Sequence, residues 1–209
     1  MGNLAQLSAV IEARDPYARG HASRVTVFAK AMAKAIGLER ERLSVLRLGA
    51  LLHDVGKLSV PPAILLKRGP LTETEFVQVR RHPAAGVRML RSLGAPREIL
   101  PSVLHHHERW DGAGYPRGRA RERIPLEARI LTVADSFDAM TSTRPYRPPR
   151  HVSDALEELE RCAGSQFDPE LVGVFVVAWG EGELDALVWQ AHGATRASTR
   201  PRALSSSAG

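Results

Sequence analysis

The stretch ERERLSVLRLGALLHDVGK, residues 39–57, decides the reading of the chain. Leu43, Leu46, Ala50 and His53 recur at the 3.6-residue spacing of one helical face, so an amphipathic helix runs from about Glu39 to a stop at Gly56-Lys57. His53 and Asp54 then stand at the inward end of an apolar stripe, where a helix presents polar side chains to the interior of a bundle. Neighbouring helical residues project ~100° apart, so the two can serve different centres.

Working outward, the same grammar repeats. Before this helix, residues from about Leu4 to Ala13 read as helical, and Asp15-Pro16 reads as a cap and first position of a second helix carrying Val25, Phe28 and Met32, with His21 in its first turns. After it, Pro61-Pro62 and Gly69-Pro70 mark a loop, and Thr72-Glu73-Thr74-Glu75 forms a capping box. Pro83 disfavours helical geometry at the residue before it, which predicts a break at His82.

A further helix with Ile99, Leu100, Val103 and Leu104 delivers His105-His106-His107 to its end, ahead of a loop shaped by Gly112, Gly114 and Pro116. From Leu126 to Met140, Leu131, Asp135 and Asp138 share one face. Two last helices are predicted near Val152–Cys162 and Pro169–Trp179. The fold class is therefore all-α, a helical bundle. Residues 1–182 form the domain, and 183–209, rich in Ser, Arg and Ala without periodicity, form a poorly ordered tail.

Composition narrows the function. Hydrophobic residues at 44% and charged residues at 25% are ordinary globular values, and aromatics at 5% argue against an all-β sandwich. The single cysteine, Cys162, excludes an intrachain disulfide and a cysteine zinc site and points to the cytoplasm. No apolar run approaches the ~20 residues of a membrane span. The net charge of +6 is spread along the chain, and Arg196, Arg200 and Arg202 read as a solvated end, so no nucleic acid is expected as a partner.

A histidine alone on an apolar face is usually a core residue. Here six of the eight histidines fall at inward helix ends. His21, His53, Asp54, His82, His106, His107 and Asp135 supply imidazoles and carboxylates without thiolates, which suits Fe, Mn, Ni or Zn in five- or six-coordinate sites. Seven groups are enough for two ions that share a bridging carboxylate.

These segments resemble the HD-GYP family of the HD phosphohydrolase superfamily. The resemblance rests on Asp15 to His21, His53 to Lys57, His82-Pro83 with Gly86, His106 to Pro116, and Ala134 to Ser142 leading to Arg144-Pro145-Tyr146-Arg147, and it extends from about Leu4 to Trp179. It implies an HD-domain bundle with a metal centre at its middle and the Gly-Tyr-Pro loop beside it. It also implies metal-dependent hydrolysis of cyclic di-GMP to the linear dinucleotide, and in some members onward to GMP. Carried over by position, the seven residues become the ligands of two divalent ions, Fe or Mn before Zn or Ni, with Asp54 and Lys57 as catalytic residues. Two adjacent ions can generate a hydroxide nucleophile from water and neutralise charge on the phosphate.

Arg144 and Arg147 match the family's phosphate-binding pair, and Tyr115 would stack on or border a guanine. Asp111 and Asp138 match positions that shape the loop and orient ligand histidines. Members with a third metal carry an acidic residue where this chain has Tyr17, which favours two ions. The sequence Gly118-Arg119-Ala120-Arg121 departs from the usual glycine pattern after the triplet. The alternatives are an HD-type hydrolase of another nucleotide or cyclic dinucleotide, and a catalytically silent module that binds cyclic di-GMP or a protein. A regulatory domain, a signalling protein and a second copy of the chain as a homodimer are the protein partners left open.

Overall fold

Every regular element among the described residues is helical, and their order places the chemistry. The structure is a computed structural model that describes residues 2–15, 19–143, 148–182 and 184. The helices are α1 (Gly2–Arg14), α2 (His21–Ala35), α3 (Arg40–Leu52), α4 (Pro62–Leu65), α5 (Glu73–Val79), α6 (His82–Ser92), α7 (Leu100–His105), α8 (Leu126–Thr141), α9 (Val152–Arg161) and α10 (Pro169–Gly180). Short 3₁₀ turns occupy Val55–Ser59, Arg97–Ile99 and Arg121–Arg123. None of the helices is long and apolar enough to cross a membrane.

Two apolar clusters hold the bundle. In the first, α2, α3, α8, α9 and α10 converge on Phe28, Phe137 and Phe175, with Trp179 packed against them. Phe28 and Phe137 meet edge-to-face at 5.2 Å, and Phe137 lies 4.8 Å from Phe175. Each of these buried rings contributes roughly 1.5–3 kcal/mol by leaving water, plus a smaller gain from the ring–ring geometry. In the second, Ile11 of α1, Leu52, Val55, Leu90 of α6, and Ile99 and Val103 close on one another.

Helix α3 is the wall between the two. Leu46 and Ala50 belong to the first cluster and Leu52 to the second. Of the stripe read from the sequence, Leu46 and Ala50 are fully buried and Leu43 is partly buried, and its last member, His53, is 1% exposed. The residues at the end of α3 thus sit where both cores meet, close to the middle of the bundle.

Several helix ends fall where local chemistry puts them. Thr72 Oγ1 accepts the N–H of Glu75 at 3.3 Å while Glu75 Oε2 accepts the N–H of Thr72 at 2.7 Å, completing the capping box. The chain breaks between α5 and α6, and His82 opens α6 ahead of Pro83. Asp168 caps α10 through the N–H of Glu170 at 3.0 Å.

The start of α2 differs from the expectation. The helix begins at His21, and its N-cap is Gly20 with φ +69°, not Asp15. A left-handed glycine cannot lie inside a right-handed helix, so Gly20 overrides the signal of Asp15-Pro16. Tyr17 lies outside the described residues, as do Arg144, Arg147 and the expected tail apart from Leu184.

Candidate metal centre

The two sets of groups that close on one another share one carboxylate. Asp54, His82, His106 and His107 each offer a donor atom within 4.8 Å of the others, and so do His21, His53 and Asp54. Within them, Asp54 Oδ1 lies 3.3 Å from His82 Nε2 and 3.9 Å from His106 Nε2. Its other oxygen, Oδ2, lies 3.5 Å from His53 Nε2 and 3.7 Å from His21 Nε2. Asp135 Oδ1 stands 3.2 Å from His21 Nε2 and 4.0 Å from His53 Nε2. All seven candidate ligands are thereby brought together.

Three of the imidazoles are aimed by the backbone just before them. His53, His82 and His106 stand at helix ends, and each Nδ1 donates to the carbonyl three residues earlier: Ala50 at 2.7 Å, Val79 at 2.8 Å and Val103 at 2.8 Å. A carbonyl only accepts, so Nδ1 carries the proton and Nε2 keeps its lone pair facing the cluster. Thr132 Oγ1 of α8 donates to the carbonyl of His106 at 2.9 Å, which ties the end of α7 to α8.

This arrangement fits a cation. The Nε2 atoms of His82 and His106 are 3.2 Å apart, and both present lone pairs. Two acceptors at that distance repel unless a positive centre lies between or beside them. Two further buried atoms of the cluster, His53 Nε2 and Asp54 Oδ1, have no hydrogen-bond partner, which is costly unless another ligand satisfies them.

The local electrostatics point the same way. Burial holds His53 and His106 below the ordinary imidazole range and His107 at about 3, so these rings are neutral, the state that binds metal. His21 behaves differently. Burial opposes its charge, but Asp135 and Asp138 outweigh burial and lift it to about 9. Burial would raise Asp54, yet Lys57, His53 and His82 hold it well below the usual carboxylate range. Lys57 Nζ donates to Asp54 Oδ2 at 2.6 Å, so the lysine stands at the edge of the cluster.

Asp138 faces the cluster from behind. Its Oδ2 lies 2.7 Å from His21 Nδ1, and Arg24 grips it with Nε at 2.5 Å and Nη2 at 3.0 Å. Asp111 shapes the loop: it accepts Arg109 Nε at 3.0 Å and the N–H of Ala113 at 2.9 Å, and it is not bonded to a histidine.

The Tyr115 ring stacks on His107 at 4.9 Å with an interplanar angle of 30°, and the Arg80 guanidinium lies 4.8 Å from the same ring. Tyr115 therefore packs its loop against the cluster, and the Tyr115–Pro116 peptide is cis.

Three residues gain a role only from the structure. Arg24 was findable as the i+3 neighbour of His21 on one helical face. Arg80 stands beside the break before His82. Glu108, which follows His106-His107, is 1% exposed. It accepts the N–H of Arg117 at 2.9 Å and of Arg119 at 3.1 Å, and it lies 3.1 Å from His105 Nδ1. One buried carboxylate thus pins the segment that follows Tyr115-Pro116.

Residues 5–171 match the HD domain family. The chain is 40% identical over 172 residues to a cyclic di-GMP phosphodiesterase of Thermotoga maritima, covering 81% of this chain and 47% of that protein. It is 38% identical over 202 residues to the cyclic di-GMP phosphodiesterase response regulator RpfG of Xanthomonas campestris pv. campestris, covering 95% and 52%. The chain spans about half the length of the curated relatives it matches. A cyclic GMP-AMP specific phosphodiesterase from Vibrio cholerae has a similar fold, with a TM-score of 0.64 at 20% identity over 83% of this chain and 46% of that one.

Proposed function

The chain belongs to the HD domain family, and on that premise we propose that it is a metal-dependent phosphodiesterase of the HD-GYP type that hydrolyses cyclic di-GMP to linear pGpG. The observation that carries this reading is the pair of donor sets joined at Asp54, with His82 and His106 turning lone pairs toward each other.

Asp54, His82, His106 and His107 would hold one divalent ion, and His21, His53, Asp54 and Asp135 a second. When bound, such ions supply a nucleophile from water at neutral pH and neutralise charge on a phosphodiester. Iron or manganese suits this imidazole and carboxylate set, ahead of zinc or nickel.

The chain's own residues do the rest. The carbonyl-locked imidazoles fix the donors before any ligand arrives, so little reorganisation is needed at the moment of reaction. Lys57, beside Asp54, places a fixed positive charge at the edge of the cluster, where a phosphate oxygen gains charge as the ester breaks. Tyr115 and Arg80 border the same cluster and would meet a base or sugar of the substrate. Arg144 and Arg147 would grip phosphate bidentately.

The test is hydrolysis of cyclic di-GMP by protein prepared without oxygen and loaded separately with ferrous iron or manganese, with products separated by chromatography and bound metal counted. Metal-dependent pGpG that disappears in Asp54→Ala is the expected result, and GMP in the product would show a second cleavage. Bound metal without turnover would sink the reading. Cyclic GMP-AMP belongs in the same assay, because a protein of this fold is specific for it. Faster cleavage of that substrate would move the specificity and leave the metal chemistry in place.

A further inference from the structure

A second cleft opens away from the metal cluster. It encloses about 850 Å³ where α6, the turn after it and α7 meet the loop after Tyr115-Pro116. Val87, Leu100 and Leu104 give it apolar walls, and Arg91, Arg97 and Arg119 give it cationic ones. None of these six belongs to the groups that could hold a metal. Among the described residues neither Arg91 nor Arg97 has a carboxylate partner. Arg119 bonds its own loop, with Nη1 donating to the carbonyl of Arg123 at 3.2 Å.

We propose that this cleft is a binding site for a phosphorylated nucleotide, separate from the catalytic centre. Its volume falls in the range of roughly 300–1,000 Å³ that small-molecule sites occupy, far more than an inorganic anion fills. Guanidinium groups match phosphate oxygens bidentately and stack on planar bases, while the aliphatic wall suits the face of a purine. A purine mononucleotide offers both chemistries in one molecule. The inference does not depend on the phosphodiesterase reading.

The site is also wired to the Tyr115 loop. The backbone N–H of Arg119, on the rim of the cleft, is held by Glu108, and the same carboxylate holds the N–H of Arg117 and meets His105, another residue of the cleft lining. A ligand that draws Arg119 into the cleft pulls on the group that fixes the loop beside the metal cluster.

The experiment is calorimetric titration of the full chain with GMP, with inorganic phosphate and with a hexaglutamate peptide. It is repeated on Lys57→Ala and on the double variant Arg91→Glu/Arg97→Glu, both checked for folding by thermal melt. Both arginines of the double variant are solvent-exposed, so its melt should match the parent. The expected result is saturable GMP binding that survives Lys57→Ala, weakens at least tenfold in the double variant, and exceeds the binding of phosphate alone. GMP binding that is lost in Lys57→Ala and intact in the double variant would assign it to the metal centre and overturn the proposal. No saturable binding into the millimolar range would do the same. Binding of hexaglutamate without GMP would also overturn it, by making the cleft a surface for acidic protein segments.

Discussion

Gly56 lies against His82 so closely that a Cβ on Gly56 would collide with the carbonyl oxygen of His82 and stand 2.6 Å from the amide nitrogen of Gly86. The glycine that ends the His53-Asp54 segment is therefore a packing requirement between the turn at Val55–Ser59 and α6. Gly56→Ala must push α6 away, and overpacking of backbone against backbone costs about 3 kcal/mol or slightly more. A thermal melt of that variant is expected to fall well below the parent. An unchanged melting temperature would show that α6 moves freely, contrary to this packing.

Asp138 is expected to act on metal affinity through His21. Asp138→Asn keeps the shape but can no longer accept from both His21 and the two-pronged Arg24 as a charged group. Loss of such a partner typically weakens a metal site roughly 10–100-fold. Competition with a chromophoric chelator would read this as a weaker second ion with the first retained. Equal loss of both ions would argue against the separate role of His21.

Glu108→Gln tests the pin on the loop. The amide retains one acceptor oxygen where the carboxylate used both for Arg117 and Arg119, so one part-buried N–H is left facing a donor. A part-buried donor left unsatisfied costs about 1 kcal/mol, the lower end of the penalty for a buried one. Turnover of the cyclic dinucleotide should drop with bound metal unchanged, and proteolysis should cut more readily near Arg117–Arg119. A variant with parental protection and turnover would show that the loop is held elsewhere.

Arg80 lies over Tyr115 and also 5.7 Å from the ring of Phe76. Exposed cation–ring contacts are worth only about 0.5–1 kcal/mol, so Arg80→Ala should barely alter the melt. Its effect should fall on KM for the cyclic dinucleotide, while cleavage of bis(p-nitrophenyl) phosphate, which lacks a base, stays at the parental rate. Equal losses on both substrates would place Arg80 in the support of the metal cluster instead.

Much of this was legible in the sequence, for particular reasons. The stripe Leu43–Leu46–Ala50–His53, the capping box at Thr72 and the break at His82 are local signals, and local physics decides them. The histidines and Asp54 were legible because they are unusual at inward helix ends, and Asp135 because it shares one face of α8 with Leu131 and Asp138. Glu108 and Arg80 were not, since their meaning comes from partners brought in by tertiary packing, and Arg24 carried only the local signal of its i+3 spacing from His21. The start of α2 was misplaced because the Asp15-Pro16 signal competes with Gly20, whose left-handed backbone decides the boundary. The cleft at Arg91, Arg97 and Arg119 could not be read at all, because it joins residues up to 32 positions apart across a loop (119 minus 87 for Val87).

The seating of His21 by Asp138 has a consequence for how the protein is made. His21, His53 and Asp54 leave the ribosome before Asp135 and Asp138, which pack against that set and follow Asp54 by more than 80 residues, counting 135 minus 54. A nascent or truncated chain that ends before α8 would carry five histidines of the cluster and still lack the carboxylates that steer the first of them. Completion of the His21 set is thereby tied to completion of the bundle, whereas Asp54, His82, His106 and His107 have all been synthesised before α8 begins.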